Sequence, residues 1–458
     1  MKISWLPDSY QAAITITDDP DNGDFCAFKT MYDFMMDIEF PVTRAMWVYK
    51  NIEPTGTPHL EISFKAPLLT EPECLHYCKK LSEHGFEICL HGASCGNNDR
   101  LHTTSALTFL KNEIGESPVY ICHSKNAENL YWDAKTANSH LEMRLLQLYT
   151  KNRCFGDIAD SNYFWGDICR ENIKYIRMYR TRSFNTLAFN PSMPYHDFSK
   201  PFVNYWFSAT KGHIPHLFTG DNIDQLCQEE GVSILYQYLH KYVNENLVIH
   251  PEVKKSLQRV ASDNRILKLP VSAILERLKQ IQNLVYIFHK GTVYLINTSR
   301  NAINSVKVSL DSFDGFSSES AHKKDKVRNE VIFNKINPLS FITFRSSYVK
   351  YTSNVNVHFY NDYAKLMTQK ATIYVNISDD KLYLMPSVTI QKQGVFVKYQ
   401  TPEAERLEIL KEINSEELLK LKLGQMAILF REHLFLGRKL STKGYLKDPG
   451  KIEDLSNW

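Results

Sequence analysis

Apolar positions in the first part of the chain alternate between the period of two that strands show and a helical period. Residues 13–17 form a β-branched apolar run that predicts a buried strand. Met31 and Met35 then fall on one helix face, and residues 44–50 predict the next strand. The same order of strand, helix and strand repeats toward residue 282. The pattern predicts a parallel β/α fold, either a barrel or a wound sheet.

The pattern changes after residue 282. Short apolar strands separated by Gly, Asn, Asp and Pro turns predict a small antiparallel β-sandwich. Leucines then recur at helical spacing toward the end of the chain, which predicts a helical C-terminal tail that packs on a neighbour. We therefore predict a barrel domain at residues 1–282, a β-sandwich domain at residues 283–400 and a helical segment at residues 401–458.

Composition and charge narrow the class of protein. The chain has 458 residues, of which 43% are apolar, enough for the packed cores of two or three domains. A net charge of +3 gives no reason to expect nucleic acid or an anionic membrane as a partner. No apolar stretch predicts a transmembrane segment or a secretory signal. Nine cysteines, an odd number confined to the first half, favour a reducing compartment, and we expect a cytoplasmic protein.

Ionisable side chains stand where three of the predicted strands end. Asp18 and Asp19 follow the first strand, and His91 and His123 follow two later ones. Because the carboxyl ends of parallel strands meet at one edge, we expect these side chains to lie close together. Carboxylate and imidazole groups bind Zn²⁺ and other divalent ions, and a second carboxylate can act as a base. Arg177, Arg180 and Arg182 together are candidates for a charge partner of Asp18, although three closely spaced arginines are usually solvated.

Two segments that contain these strand ends resemble the motifs of a known enzyme family. The strand ending in "ITITDDPD" and the later segment "GFEICLHGAS" look like the polysaccharide deacetylases of the NodB-homology type. In that family a strand ending in Thr-Phe-Asp-Asp supplies a catalytic base and a metal ligand, and a His-x-x-x-His motif supplies two more ligands. The resemblance implies a distorted (β/α) barrel of the polysaccharide deacetylase type, with Asp18 as the base and Asp19 and His91 as ligands.

Two departures from the family pattern concern the third ligand. Cys95 stands where the second histidine of the motif should fall, and "CHSKNAENLYW" replaces the expected arginine-proline segment. His123 begins from the end of an adjoining strand, whereas Cys95 reaches the metal only if its loop curls as a helical turn. We expect a divalent ion, zinc first, at Asp19, His91 and His123, with Cys95 as the alternative ligand. The resemblance further implies His240 as a catalytic acid.

The loop after His123 carries side chains that suit a sugar. Amide and carboxylate groups hydrogen-bond to hydroxyls, and aromatic rings stack on sugar faces. A polar loop capped by aromatic residues is also a common structural feature, and the residue types favour neither explanation. The candidate substrate-binding residues are Asn126, Glu128, Asn129, Tyr131 and Trp132.

With these two departures from the family pattern, the chain represents a divergent branch, and it is similar to deacetylase-like proteins found among bacterial O-antigen and capsule biosynthesis genes. The resemblance implies a metal-dependent hydrolase that removes an N-acyl group from a sugar or glycan precursor. Its partners would be a carbohydrate substrate and, through docking, other enzymes of polysaccharide biosynthesis. Two alternatives stay open, because fold does not fix chemistry. One is another metal-dependent glycan-modifying enzyme on the same barrel, and the other is a catalytically inactive carbohydrate-binding or assembly protein.

Overall fold

The computed structural model divides into two compact units. The barrel unit comprises Gln11–Ile274, and the sheet unit comprises Met1–Tyr10 with the described residues from Leu275 onward. The structure describes residues 1–51, 66–124, 126–132, 135, 154–197, 200–289, 291–299, 301–313, 316–338, 340–345, 357–359, 372–376 and 381–385.

Seven parallel strands close into the barrel of the first unit. Numbered along the whole chain, they are β2 (Ala12–Asp18), β3 (Thr43–Trp47), β4 (Glu87–Gly92), β5 (Val119–Tyr120), β6 (Tyr175–Thr181), β7 (Tyr205–Lys211) and β8 (Val232–Gln237). They follow one another in chain order around the wall, and β2 closes the ring by pairing with both β3 and β8. A short strand, β9 (Ile266–Leu267), adds to the start of β2. Every residue of β2 is buried, as its apolar run predicts.

Helices connect the strands of the barrel. They are α1 (Phe25–Asp37), α2 (Pro72–Glu83), α3 (Arg100–Glu113), α4 (Gly166–Asn172), α5 (Thr186–Phe189), α6 (Ile214–Leu217), α7 (Gly220–Gln228), a 3-10 helix (Leu239–Tyr242), α8 (Pro251–Ser262) and α9 (Val271–Gln282). Asp24 begins α1 by accepting a hydrogen bond from the Ala27 N–H, and Asp99 begins α3 in the same way. Within the part of the chain that the structure describes, no helix is both long and apolar enough to span a membrane.

The sheet unit contains two four-stranded antiparallel sheets and a hairpin. Its strands are β1 (Lys2–Ser4), β10 (Leu284–His289), β11 (Thr292–Asn297), β12 (Ile303–Ser309), β13 (Lys323–Asp325), β14 (Glu330–Ile336), β15 (Ser340–Arg345), β16 (Val357–Phe359), β17 (Thr372–Asn376) and β18 (Lys381–Met385). The sheet orders are β1-β12-β14-β13 and β15-β11-β10-β16, and β17 pairs with β18. The rings of Phe333 and Phe344 stack at 5.6 Å between the two larger sheets.

The predicted fold class, a β/α barrel followed by small antiparallel sheets, is confirmed. The predicted helical segment at residues 401–458 lies outside the described residues. The domain limits 1–282 and 283–400 stay a prediction. The two compact units meet in sequence after Ile274, and the first ten residues belong to the sheet unit because β1 pairs with β12.

Arg277 holds the first residues of the chain in the sheet unit. Its guanidinium group is 8% exposed and donates hydrogen bonds to the carbonyl oxygens of Trp5, Asn304 and Ser305 at 2.7, 2.7 and 2.8 Å. The Ser305 hydroxyl also accepts from the Asp8 N–H at 2.7 Å and donates to the Asp8 carboxylate at 2.6 Å. These bonds fix β1 beside β12 in addition to the strand pairing.

Replacing Arg277 with methionine should loosen β1 and β12. One buried and two partly buried hydrogen bonds from a charged donor would be lost, so we expect the free energy of opening of β12 to fall by about 3 kcal/mol. Hydrogen exchange of the β12 amides measures this change. Lys326→Met, at an exposed position of the same unit, is the control and should change exchange little. Unchanged β12 protection in Arg277→Met would show that the guanidinium does not hold this segment.

Candidate metal site

The turn after β2 places the carboxylates of Asp19 and Asp21 at the carboxyl end of the barrel. Asn22 has a left-handed φ of 62°, and the Gly23 N–H donates to the Pro20 carbonyl at 3.0 Å, so the chain turns sharply. Asp19 is buried, and the Asp21 side chain is only 18% exposed. The turn therefore places both carboxylates inside the structure.

Asp21, His91 and His123 form a compact group whose ligand atoms all lie within 4.8 Å of one another. His91 Nε2 is 3.3 Å from Asp21 Oδ1, and His123 Nε2 is 3.9 Å from Asp21 Oδ2. His91 is the last residue but one of β4 and His123 follows β5, the next strand in the barrel wall, and the two ring centroids are 5.2 Å apart. Both rings contact the Trp47 indole, with centroids at 5.5 and 5.4 Å. The predicted approach of His91 and His123 is thus present in the structure.

The donor atoms of this group fit a divalent cation. Both ring nitrogens of His91 and Oδ1 of Asp21 are buried without a hydrogen-bond partner among the described residues. Buried polar atoms are normally satisfied, and a cation bound between these three side chains would satisfy Asp21 Oδ1 and one of the two ring nitrogens of His91. Two imidazoles and a carboxylate leave a coordination position open for water, as catalytic zinc sites do. The group could therefore bind a metal ion, and the donor set accepts zinc, cobalt or manganese.

The charges in the group favour the forms that bind metal. Burial lowers the pKa of His123, which keeps its imidazole neutral. Burial alone would raise the pKa of Asp21, but attraction to His123 and His91 whenever those rings are protonated, with a hydrogen bond from the Tyr238 hydroxyl, holds the pKa below its usual range. The carboxylate is thus ionised and the His123 imidazole neutral at neutral pH.

Arg177 holds Asp19 in a bidentate ion pair. The guanidinium donates to Oδ1 at 2.8 Å and to Oδ2 at 2.7 Å, and Nη1 also donates to the Thr17 hydroxyl at 3.0 Å. The two side chains are only 3% and 5% exposed. Because β2 and β6 are not neighbours in the wall, the pair crosses the barrel interior. Asp19 Oδ2 remains 3.9 Å from His91 Nε2, so this carboxylate borders the metal group while its oxygens are bound elsewhere.

Asp18 has a different partner from the predicted one. Arg44 on β3 donates to its Oδ2 at 2.5 Å, the Tyr32 hydroxyl donates to the same oxygen at 3.0 Å, and the Leu239 N–H donates to Oδ1 at 2.6 Å. Burial raises the pKa of Asp18 in spite of the Arg44 charge. By accepting these three hydrogen bonds, the Asp18 carboxylate connects β3, α1 and the segment after β8. Arg44 also donates to the Asp19 carbonyl at 3.2 Å and so supports the start of the turn.

His240 lies on the 3-10 helix after β8, close to the turn that carries Asp21. Burial, together with the charges of Arg44 and Lys241, lowers the pKa of His240 to about 3, so the ring is neutral. A Cβ atom added at Gly23 would lie 3.0 Å from two atoms of this ring, which shows how closely the turn approaches it. The role of His240 as an acid stays a prediction.

The predicted substrate-binding loop is largely buried, and its polar groups contact protein atoms. Glu128 and Asn129 are fully buried, and Asn126 is 2% exposed. The Asn129 amide donates to the His123 carbonyl at 2.7 Å. The Tyr131 ring stacks with that of Phe202 at 6.4 Å, and Trp132 is half-buried. In the structure the polar groups of this loop contact other protein atoms. The predicted sugar contacts stay a prediction for all five residues, Asn126, Glu128, Asn129, Tyr131 and Trp132.

Cys95 lies outside the group of ligands found among the described residues. Its side chain is 4% exposed and packs with Trp47, Ala66 and Leu68. Burial raises the pKa of its thiol to about 11, so the thiolate that binds metals is disfavoured. The structure therefore favours His123 over Cys95 as the third ligand.

Sequence reasoning missed Asp21 and Arg44. Asp21 stands in the turn "DDPDNGD", where a third carboxylate three residues beyond the end of β2 was the available signal. Arg44 lies inside an apolar strand, and a charged residue in a buried strand signals a buried partner. Arg177 was considered only as a partner of Asp18 and instead pairs with Asp19.

Comparisons with known proteins find solved structures at low identity and low TM-score. No protein-family model and no curated protein sequence matches the chain. The crystal structure of Puue allantoinase is 11% identical over 59% of this chain and 91% of its own, with a TM-score of 0.34. A probable polysaccharide deacetylase from Pseudomonas aeruginosa PAO1 is 10% identical over the same shares, with a TM-score of 0.32. The structure of AmyP in complex with maltose is 9% identical over 75% of this chain and 98% of its own, with a TM-score of 0.27.

Replacing Arg177 with methionine should leave the Asp19 charge buried and unpaired. We expect the free energy of unfolding, measured by denaturant titration, to fall by about 3–5 kcal/mol. Arg265→Met is the matched control, because its pair with Asp263 involves an arginine that is 41% exposed and should contribute about 1 kcal/mol or less. Adding Asp19→Asn to Arg177→Met should recover part of the loss. Equal effects of the two arginine substitutions would contradict a buried pair.

Proposed function

We propose that the chain is a metal-dependent hydrolase that removes an N-acyl group from a sugar or glycan precursor. The observation that carries this proposal is the buried group of Asp21, His91 and His123, in which Asp21 Oδ1 and the His91 ring nitrogens lack hydrogen-bond partners among the described residues and which Asp19 borders at 3.9 Å. The group lies at the carboxyl end of the barrel strands, where barrel enzymes assemble their active sites. The motif resemblance to polysaccharide deacetylases supports the acyl-transfer chemistry and the carbohydrate substrate.

We assign the metal to Asp21, His91 and His123, and we propose a role other than ligand for Asp19. Both oxygens of Asp19 accept hydrogen bonds from Arg177, whereas Oδ1 of Asp21 has no partner among the described residues. Coordination by Asp21 therefore costs no existing hydrogen bond at Oδ1, while coordination by Asp19 would weaken a buried ion pair. This assignment moves the ligand role two residues along the turn from its predicted place.

The remaining chemistry is assigned to groups around the metal. A bound divalent ion would polarise the acyl oxygen and lower the pKa of a bound water. Asp19 accepts the proton of the attacking water, and the two hydrogen bonds from Arg177 orient this carboxylate. Asp18 has both oxygens bound to Arg44, Tyr32 and the Leu239 N–H, so it positions the turn. His240, whose ring is neutral at rest, is the candidate for passing to the departing amine the proton that Asp19 takes from the water.

The biological setting follows from the motif resemblance alone. We place the reaction in bacterial surface polysaccharide biosynthesis, with docking to other enzymes of that pathway as a further expectation. Another metal-dependent glycan-modifying enzyme would keep the metal site and act on a different bond. A catalytically inactive carbohydrate-binding or assembly protein would bind glycans without turnover. Metal content and product analysis together separate the three cases.

The purified chain should bind about one divalent ion, measured by inductively coupled plasma mass spectrometry after zinc loading and dialysis. Asp21→Asn, His91→Ala and His123→Ala should each reduce the content to background, because each removes one of three ligands. Asp19→Asn and Cys95→Ser should retain the ion. Wild-type content in His91→Ala would contradict the site. A metal-free Cys95→Ser protein with a loaded His123→Ala protein would show that the cysteine is the third ligand.

The zinc-loaded chain should release acetate from oligosaccharides of N-acetylglucosamine, and the metal-free chain should not. Asp19→Asn should lower the rate by about 10²- to 10⁴-fold while the metal content is retained, because the variant lacks the general base. Asp24→Ser is the control on the same turn, since serine also begins a helix well and Asp24 contacts the Ala27 N–H. Equal acetate release by metal-free and zinc-loaded protein would contradict a metal-dependent reaction. Glycan binding without release would favour the inactive binding protein.

A further inference from the structure

A buried network of amide and carboxylate groups lies behind His123. Asn126 Oδ1 is 2.9 Å from His123 Nδ1, and Asn126 Nδ2 donates to the Gly96 carbonyl at 2.6 Å and to Glu128 Oε1 at 2.8 Å. Glu128 also accepts from the Asn98 side chain at 2.6 Å and from the Asn98 N–H at 3.1 Å. The side chains of the network are at most 3% exposed. They join the loop after β4, which follows His91, to the loop after β5, which carries His123.

The Gly96 carbonyl determines the direction of the Asn126 amide. A backbone carbonyl only accepts hydrogen bonds, so the atom of Asn126 that faces it at 2.6 Å must be the NH₂ group. The amide oxygen then faces His123, and since this oxygen also only accepts, His123 Nδ1 must carry a hydrogen. The conclusion is the same whether Glu128 is ionised or protonated. We infer that Asn126 fixes His123 in the tautomer with hydrogen on Nδ1.

This tautomer prepares His123 for metal binding. A ring with hydrogen on Nδ1 has its lone pair on Nε2, the atom that lies 3.9 Å from Asp21 Oδ2. A hydrogen bond to the second ring nitrogen both orients a histidine ligand and fixes its tautomer. Asn126 is thus a positioning residue for the metal site, and this role rests on the proposed function. The tautomer itself depends only on the protein and exists without the metal.

Three positions in the same loop separate tautomer control from general loop stability. Asn126→Ala removes the acceptor of the His123 Nδ1 hydrogen. Asn129→Ala removes an amide that donates to the His123 carbonyl at 2.7 Å and makes no hydrogen bond to the ring. Glu128→Gln weakens the link between the loops but leaves the Gly96 carbonyl in place to orient Asn126. We expect only the first substitution to change the tautomer.

Long-range ¹⁵N–¹H NMR of the full chain, labelled at histidine and free of metal, reads the tautomer directly. The His123 signals are assigned by their loss in His123→Gln. Wild type, Asn129→Ala and Glu128→Gln should show hydrogen on Nδ1 at neutral pH. Asn126→Ala should shift His123 toward the Nε2–H tautomer. Its affinity for Zn²⁺, measured by competition with a chromophoric chelator, should fall about 10- to 100-fold.

The wild-type spectrum is decisive even if a variant fails to fold. Hydrogen on Nε2 of His123 in wild type would overturn the inference, as would an unchanged tautomer in folded Asn126→Ala. A changed tautomer in Glu128→Gln would overturn the assignment of control to Asn126 and Gly96. If the tautomers are as expected and wild type binds no Zn²⁺, tautomer control by Asn126 is supported and the proposed function fails.

Discussion

The bidentate ion pair between Asp19 and Arg177 is the constraint on which the rest of the candidate site depends. Removing two charges from water costs several kcal/mol for each ion, and the cost is recovered only when both are well paired. The pair connects β2 with β6 across the barrel interior and fixes the first residue of the turn after β2. With Asp19 fixed, the turn places Asp21 beside His91 and His123. The geometry of the metal group thus follows from an interaction outside it.

Two consecutive carboxylates have separate environments because successive side chains of a strand point to opposite sides. Asp18 contacts Tyr32 on α1 and Arg44, on the side of the wall where the helix packs. Asp19 points into the barrel and meets Arg177. Each carboxylate has its own buried arginine, so the two charges do not need to share one cation. This separation explains why Asp18 supports the fold while Asp19 borders the metal group.

The sequence predicted the parts of this structure that depend on local pattern. Strand and helix periods predicted the barrel, and the positions of His91 and His123 at strand ends predicted their approach, because parallel strands end at one edge. The partner of each carboxylate was not predictable, since Arg177 lies 158 residues from Asp19 and many pairings fit the same charges. The turn at Asn22 decides that Asp21 faces the histidines. Asn22 and Gly23 indicate a turn by their residue types, but they do not show which way the Asp21 side chain points. Burial of Glu128 is likewise a tertiary property, and its residue type alone suggested a sugar contact.

The measurement that tests the assigned ligands most directly is X-ray absorption spectroscopy of the zinc-loaded full chain. The fine structure reports the type and number of atoms bound to the ion, with sulfur near 2.3 Å and nitrogen or oxygen near 2.0–2.1 Å, about 0.2 Å apart. We expect two imidazole nitrogens, from His91 and His123, together with oxygen from Asp21 and water, and no sulfur. Loss of one imidazole in His123→Ala would confirm the assignment. A zinc–sulfur shell that disappears in Cys95→Ser would contradict it.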